Sequence, residues 1–197
     1  HPARSGGQLL ADALAVHGVD TVFGVPGESY LAVLDGLYAH RERIRFVTCR
    51  HEGGAAFMAE AHGKLTGRPA ALMVTRGPGA SNAAIGIHTA QQDSTPLLYF
   101  VGQVSYGDLG REAFQEVDYV RMYAGFAKWA VQIDDPVRIP EIVSHAYHVA
   151  MNGRMGPVVV ALPEDCLSGT ATVADSAPYR AVQPHPSAAQ IDALRTL

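Results

Sequence analysis

The chain has 197 residues, of which 48% are hydrophobic and 17% charged, and its formal net charge is −4 at pH 7. This length allows one sizeable domain with a tail, or two small domains. The charge balance and the lack of a basic cluster argue against nucleic acid or an anionic membrane as the main partner, and no uninterrupted apolar run is long enough to span a bilayer.

The opening residues predict a helix followed by a strand-turn-helix unit. Ser5 and Gln8 have the spacing of a capping box, and the apolar residues after them recur at helical spacing. Residues 20–25 predict a short buried strand, residues 26–29 a turn and residues 30–40 a second helix. The side chains expected to face inward on this second helix are Leu31, Leu34, Leu37 and Tyr38.

The next strand and helix place a carboxylate at their junction. Residues 44–49 are rich in β-branched and aromatic side chains, which predicts a strand, and residues 53–65 are small and apolar nearly all round. This pattern predicts a helix that is buried on more than one side. Glu52 lies between the two elements, where parallel sheets bind ligands, although the helix dipole alone also favours a carboxylate in a first turn.

A third unit contains a glycine-rich turn. Residues 70–75 predict a strand that runs into the turn at 76–82, where glycines permit close approach of the backbone to a ligand. The helix after the turn has one apolar stripe made by Ala80, Ala83, Ala84, Ile87 and Ala90. A fourth strand follows at 97–101 and ends at Gly102, where Gln103 offers an amide.

The remaining chain completes one domain and begins another. Residues 107–123 predict a loop with a short helix, residues 128–133 a fifth strand, 139–151 a helix and 158–161 a sixth strand. The alternation predicts an α/β fold with a doubly wound, mainly parallel six-stranded sheet and helices on both faces.

The last thirty residues have a different composition. Residues 168–189 are rich in Ala, Ser, Thr, Pro and Val without periodicity, which predicts a linker, and residues 188–197 resemble the opening of another helix. We therefore expect one domain over residues 1–166 and, over 167–197, a linker with the start of a further domain. On this interpretation the chain is the amino-terminal piece of a longer polypeptide.

Several familiar sites are absent from the sequence. The turn at 77–82 lacks the third glycine and the later acidic residue of a dinucleotide loop, and no Gly-Lys-Ser/Thr ending marks a P-loop. His51 is not followed by a second histidine at helical spacing, and His145 with His148 lacks further ligands, so no metal site is expected from this chain alone. No Gly-x-Ser-x-Gly nucleophile elbow occurs.

Cys49 and Cys166 lie far apart and have neither paired nor metal-like spacing. We interpret both as reduced thiols, which predicts a cytoplasmic location. No signal peptide is visible among the first residues, which begin without Met.

Seven segments of the chain carry a family resemblance: 23–27, 50–55, 75–82, 93–96, 102–104, 113–116 and 156–158. In order and spacing they resemble the thiamine-diphosphate-dependent enzymes, specifically the amino-terminal pyrimidine-binding domain of the acetolactate synthase and pyruvate oxidase group. The resemblance covers about residues 5–166, and the residues after them resemble the start of that group's middle domain.

The resemblance implies roles for individual residues. The glutamate that matches Glu52 hydrogen-bonds N1′ of the cofactor's aminopyrimidine and promotes the imino tautomer, whose 4′ nitrogen removes the thiazolium C2 proton. Gln115 would lie near the reacting centre. The residues that would border or face the pyrimidine are Val25, Pro26, Gly27, Pro78 and Asn82. Without the resemblance, these positions would be interpreted as a turn, a helix start and a solvated loop.

The resemblance also implies an activity and partners. We expect decarboxylation of a 2-keto acid and transfer of the two-carbon unit to a second keto acid. A simple decarboxylase, a flavin-linked oxidase, an acetyltransferase and a non-catalytic binding module remain open. Thiamine diphosphate is the expected cofactor, with Mg²⁺ held mainly by a carboxy-terminal domain, and flavin adenine dinucleotide (FAD) remains open. The all-round apolar helix and the alanine stripe predict a homodimer or tetramer.

Two departures bear on the product. Gly53 stands where many relatives carry Gln, and Glu28 with Ser29 replaces the small residues typical of biosynthetic acetolactate synthases. Both departures weaken the expectation of acetolactate as the product and leave that of the cofactor unchanged.

Overall fold

The centre of the structure, a computed structural model that describes residues 2–197, is a six-stranded sheet. Two further strands of two residues each, β1 (Arg4–Ser5) and β8 (Thr170–Ala171), pair with one another outside it. The strands of the central sheet are β2 (Thr21–Gly24), β3 (Arg45–Thr48), β4 (Ala71–Val74), β5 (Leu97–Gln103), β6 (Trp129–Gln132) and β7 (Pro157–Pro163). Their order is β3-β2-β4-β5-β7-β6 and every adjacent pair is parallel, so the predicted parallel sheet is confirmed.

Helices cover both faces of this sheet. One face carries α1 (Gly6–Val16), α2 (Leu31–Ala39) and α6 (Ile139–Met151), and the other carries α3 (Glu52–Thr66), α4 (Gly77–Gln92) and α5 (Tyr119–Tyr123). The strand β5 shows why both faces need cover, because its side chains alternate between the two apolar clusters and all seven residues are buried. Among residues 2–197, none of the helices has the length and apolar character needed to cross a membrane.

The inward face of α2 differs from the prediction. Leu37 is buried as expected, but Leu31 and Tyr38 are 62% and 67% exposed. The reason is a backbone contact with α1: a Cβ atom on Gly36 would lie 2.6 Å from the carbonyl oxygen of Gly7. Close approach through small residues therefore orients α2, and its larger apolar residues turn outward.

The segment after the sheet is more structured than an extended linker. The helix α7 (Glu164–Ser168) follows β7, and β8 then pairs with β1. Further along, the backbone N–H of Tyr179 donates to His17 Nδ1 over 3.1 Å, and its hydroxyl donates to Asn152 over 3.0 Å. Residues 172–187 have no regular structure, and α8 (Ala188–Arg195) begins close to where the sequence predicts a helix.

Candidate functional site

The strand order reverses between β2 and β4, and the candidate site lies at the carboxyl ends of these strands. The chain leaves β2 through Gly27, where a Cβ atom would lie 2.6 Å from Cβ of Thr75, the residue that follows β4. Ser29 also contacts this edge, since its hydroxyl lies 3.0 Å from that of Thr75. Such reversal points form a crevice at the edge of doubly wound sheets. The turn after β2 is therefore packed directly on the end of β4.

Glu52 is the first residue of α3 and its side chain enters this edge half-buried. Asn82, in the second turn of α4, donates from Nδ2 to Glu52 Oε2 over 2.9 Å. His51 caps α3, because its Nδ1 accepts the backbone N–H of Gly53 over 3.1 Å. The cap and the amide together fix the carboxylate at the positive end of a helix.

Gly79 leaves room beside this carboxylate. A Cβ atom at Gly79 would lie 3.4 Å from Glu52 Oε1 and 3.3 Å from Cγ2 of Thr75. Nothing lies within 4 Å of a Cβ atom built on Gly54, in the first turn of α3. Pro78 is exposed at the second position of α4. Oε1 of Glu52 therefore lies beside a residue that has no side chain.

A tyrosine hydrogen-bonds the backbone just after β2. The hydroxyl of Tyr30 donates to the carbonyl of Val25. Burial, and secondarily the charge of Glu52, raise the pKa of this phenol, so it stays protonated and remains a donor. Val25 and Gly27 are half-buried and Pro26 is exposed. The structure places Val25, Pro26, Gly27, Glu52, Pro78 and Asn82 after the carboxyl ends of β2, β3 and β4, and it joins Glu52 and Asn82 directly.

Gln115 lies in the loop between β5 and α5. Its backbone is in the left-handed region, with φ of 66°, and its carbonyl accepts the N–H of Gly77 over 3.0 Å. This bond places Gln115 against the first turn of α4, one residue from Pro78. The residue is half-buried, so its side chain is neither in the core nor free in solvent.

The amide of Gln103 anchors the same loop. Its Nε2 donates to the carbonyl of Val117 over 2.7 Å, and its Oε1 accepts the N–H of Val104 over 3.0 Å. The side chain is 2% exposed. The sequence suggests that the amide at the end of β5 faces a ligand. In the structure this amide instead anchors the loop that carries Gln115.

An ion pair that the sequence analysis missed lies at the same edge. Arg76 follows Thr75 and donates from Nη2 to the carboxylate of Glu28, the residue after Gly27. Its side chain is 10% exposed, whereas that of Glu28 is 71% exposed. The signal in the sequence was a pair of opposite charges in the turns that follow β2 and β4.

The three histidines considered as metal ligands serve other purposes: His51 caps α3, and His145 and His148 pack against aromatic rings. Trp129 packs on the ring of His145 with centroids 4.4 Å apart, and Tyr179 meets His148 at 4.9 Å. Within residues 2–197, no group of three or more His, Cys, Asp or Glu side chains could hold a metal ion.

Comparison with known proteins gives a family. The family described as "Thiamine pyrophosphate enzyme, N-terminal TPP binding domain" matches residues 4–122, where TPP is another name for thiamine diphosphate. The acetolactate synthase large subunit of Lactococcus lactis is 44% identical over 161 residues, which cover 82% of this chain and 28% of that protein. The Bacillus subtilis acetolactate synthase is 38% identical over 163 residues, covering 83% of this chain and 28% of its own length.

A mitochondrial relative shows the same pattern. The acetolactate synthase catalytic subunit of Aspergillus candidus is 37% identical over 166 residues, covering 84% of this chain and 24% of that protein. The chain thus spans about a quarter of the length of these relatives. With the family match extending over more than half of its residues, the chain belongs to the thiamine pyrophosphate enzymes and contains their N-terminal TPP-binding domain.

Proposed function

We propose that this chain is the amino-terminal part of a larger thiamine-diphosphate-dependent enzyme that decarboxylates a 2-keto acid and transfers the two-carbon unit to a second keto acid. The single observation that carries the proposal is the Glu52 carboxylate, held by Asn82 at the strand-order reversal of a TPP-family domain. Residues 1–166 would be the pyrimidine-binding domain, and residues 167–197 the linker and the start of the middle domain. The resemblance to acetolactate synthases supports this chemistry.

The residues around Glu52 fit an aminopyrimidine. Asn82 engages Oε2 and leaves Oε1 beside Gly79, where the missing side chain gives a flat ring space to approach. Val25, Pro26 and Gly27 offer an apolar edge across the crevice, and Pro78 offers another beside Asn82. An apolar slot with one placed carboxylate is a typical way to bind and orient such a ring.

In the proposed mechanism, this chain has two tasks: it transfers one proton and it orients the substrate. When bound, thiamine diphosphate supplies the carbon nucleophile and electron sink for cleaving and forming carbon–carbon bonds. Glu52 would hold the proton at N1′ of the pyrimidine and return it, while Asn82 keeps the carboxylate from rotating. Gln115, on its strained loop, would orient the substrate near the reacting centre.

The remaining parts of the site would come from elsewhere. On the family resemblance, we assign the metal and the diphosphate to a carboxy-terminal domain of a second subunit in a dimer or tetramer. FAD, if the enzyme uses it, would bind outside this domain. Both cysteines are buried and free, which fits the cytoplasmic location that we propose.

Calorimetric titration of the complete protein with thiamine diphosphate and Mg²⁺ tests the cofactor, and turnover of a panel of 2-keto acids, alone and in pairs, tests the reaction. Binding together with a condensed product from two keto acids supports the proposal. Cofactor binding with release of the aldehyde alone would indicate a simple decarboxylase. No cofactor binding would contradict the proposal and favour a binding module.

A further inference from the structure

The loop of residues 110–118 contains three residues in the left-handed backbone region. They are Gly110 with φ of 74°, Glu112 with 54° and Gln115 with 66°. Glycine adopts this region freely, but Glu112 and Gln115 do so at a cost in conformational energy. Strained residues of this kind persist only where surrounding contacts hold them.

The side chain of Glu116 supplies the contacts within this loop. Glu116 accepts the N–H of Gly110 at Oε1 over 2.6 Å and the N–H of Ala113 at Oε2 over 3.0 Å. Its own N–H donates to the carbonyl of Ala113 over 3.0 Å. A single carboxylate therefore closes the loop on itself with two charge-assisted hydrogen bonds.

The closed loop positions Gln115 next to the first turn of α4. Gln115 directly precedes Glu116, and its carbonyl accepts the N–H of Gly77 over 3.0 Å. The fit is tight, since a Cβ atom on Gly77 would lie 3.0 Å from that carbonyl oxygen. Gln103 holds the other end of the loop through the carbonyl of Val117. The position of Gln115 thus depends on a loop whose inner closure is made by Glu116.

We propose that Glu116 is a positioning residue, which holds the loop in the shape that presents the Gln115 side chain to the keto acid. This inference rests on the proposed function. The backbone hydrogen bonds from Gly110 and then Ala113 lower the pKa of Glu116, so the carboxylate stays ionised and accepts both bonds near neutral pH. Glu116 itself would touch neither cofactor nor substrate.

The sharpest variant is Glu116→Gln in the complete enzyme. The amide keeps the side-chain shape but sets an NH₂ group against one of the two backbone N–H donors, so one bond is lost. We expect kcat/KM for the keto acid to fall roughly 10- to 100-fold, as for other small misplacements of an orienting group. For Glu116→Ala, which loses both hydrogen bonds, we expect a larger fall in kcat/KM. The Kd of thiamine diphosphate should stay within about twofold, because Glu52 and Asn82 are untouched.

Asp118→Asn is the matched control. Asp118 lies in the same loop and caps α5 through the N–H of Arg121 over 3.0 Å. Asparagine caps helices as well as aspartate does, and the change in charge equals that of Glu116→Gln. We expect its kcat/KM to stay within about twofold of wild type.

A double-mutant cycle with Gln115→Ala decides whether Glu116 acts through Gln115. If it does, Glu116→Gln should cost less than about twofold when Gln115 is already alanine. The same loss in both backgrounds would overturn the proposal, as would a matching loss of cofactor affinity. Wild-type turnover is measured first: its absence with every keto acid contradicts the proposed function, whereas turnover with an additive cycle contradicts only the role of Glu116.

Discussion

Asn82 donates a 2.9 Å hydrogen bond to Glu52, and this bond joins the second turn of α4 to the first residue of α3. The two helices follow different strands, yet they pack against each other on one face of the sheet. The orientation of the carboxylate is therefore a property of the helix pair. Substitutions at the contact between α3 and α4 should therefore alter the orientation of the Glu52 carboxylate.

The first prediction concerns Glu52→Gln in the complete enzyme. An amide can still hydrogen-bond a ring nitrogen but cannot exchange a proton with it, so turnover should fall roughly 10²-fold or more while cofactor binding persists. Steady-state kinetics and calorimetric titration measure the two effects separately. Unchanged turnover would rule out the proton-transfer role.

Glu60→Gln serves as the control on the same helix. Glu60 is buried eight residues after Glu52 and bonds Thr95, just beyond the end of α4, over 3.1 Å and Lys64 over 2.8 Å. Removing the carboxylate of Glu60 should lower thermal stability while leaving kcat within about twofold, because none of these contacts lies at the carboxyl ends of the strands. An equal loss of turnover in both variants would indicate general damage to α3.

The second prediction tests the helix contact itself. A Cβ atom at Gly86 of α4 would lie 2.4 Å from Cβ of Ala56 in α3, so Gly86→Ala must push the helices apart. We expect a loss of about 1–3 kcal/mol in the free energy of unfolding, as for other overpacked contacts. Because the shift moves Asn82 away from Glu52, turnover should fall as well. Urea unfolding and kinetics on one preparation measure both.

Gly54→Ala is the matching glycine on α3. A Cβ atom there would have no neighbour within 4 Å, so alanine should stabilise the helix by about 0.5–1 kcal/mol. Only its unfolding free energy serves as the comparison, since Gly54 lies two residues from Glu52 in the first turn of α3. Equal destabilisation by the two alanines would contradict the packing explanation.

Much of this architecture could be predicted from the sequence because it depends on local periodicity. The alanine stripe of α4 is buried as expected at Ala80, Ala83, Ile87 and Ala90. The inward face of α2 could not be predicted from hydrophobicity, since Gly36 and Gly7 set it through backbone contact. The apolar pattern of a sequence indicates which side chains gain from burial. It does not indicate which backbone segments can approach each other closely.

The placement of Glu52 and Asn82 at one edge of the sheet could also be predicted from the sequence. Glu52 and Asn82 are thirty residues apart, and the strand–helix pattern together with the family resemblance brings both to one edge. The bonds of Glu116 could not be read from the sequence, because they depend on left-handed residues at Glu112 and Gln115. Neither residue type demands that conformation, so only the folded loop reveals it.

The third prediction concerns pH and the segment after the sheet. Burial, and then the charge of His148, lower the pKa of His17 to about 4. The neutral ring accepts the N–H of Tyr179 at Nδ1, so its proton lies on Nε2, which is 3.2 Å from the hydroxyl of Ser176. Because His17 stays neutral in the folded state, its contribution to stability is complete above its ordinary pKa and is lost as pH falls.

The pH range of this effect follows from the lowered pKa of His17. Between pH 6.5 and about 4, the unfolded chain binds a proton at His17 that the folded chain does not. The wild type should therefore lose up to about 1.4 kcal/mol per pH unit more than His17→Asn does across this range. Urea unfolding at pH 7, 5.5 and 4.5 measures the difference. His185→Asn, at an exposed histidine, should keep the wild-type slope, and a common slope in all three proteins would refute the assignment.

The fourth prediction is that the complete protein is a dimer or a pair of dimers and that residues 1–197 alone are inactive. The sequence predicts that α3 is buried on more than one side, yet Phe57 and Met58 are 41% and 44% exposed and Ile85 of α4 is 58% exposed. All three lie on the helices that flank the site, on the face turned away from the sheet. Exposed apolar groups of this kind commonly mark contacts between subunits.

Charged substitutions on this surface should dissociate the subunits. Met58→Glu combined with Ile85→Glu places two carboxylates where apolar cover is needed, which should shift sedimentation towards the monomer and abolish turnover, since the diphosphate site would leave with the partner. Tyr38→Glu, at a 67% exposed residue of α2 on the opposite face of the sheet, should sediment and react as wild type does. An active monomer, or turnover by residues 1–197 alone, would contradict this arrangement, because Glu52 and Asn82 would then complete the site without a second subunit.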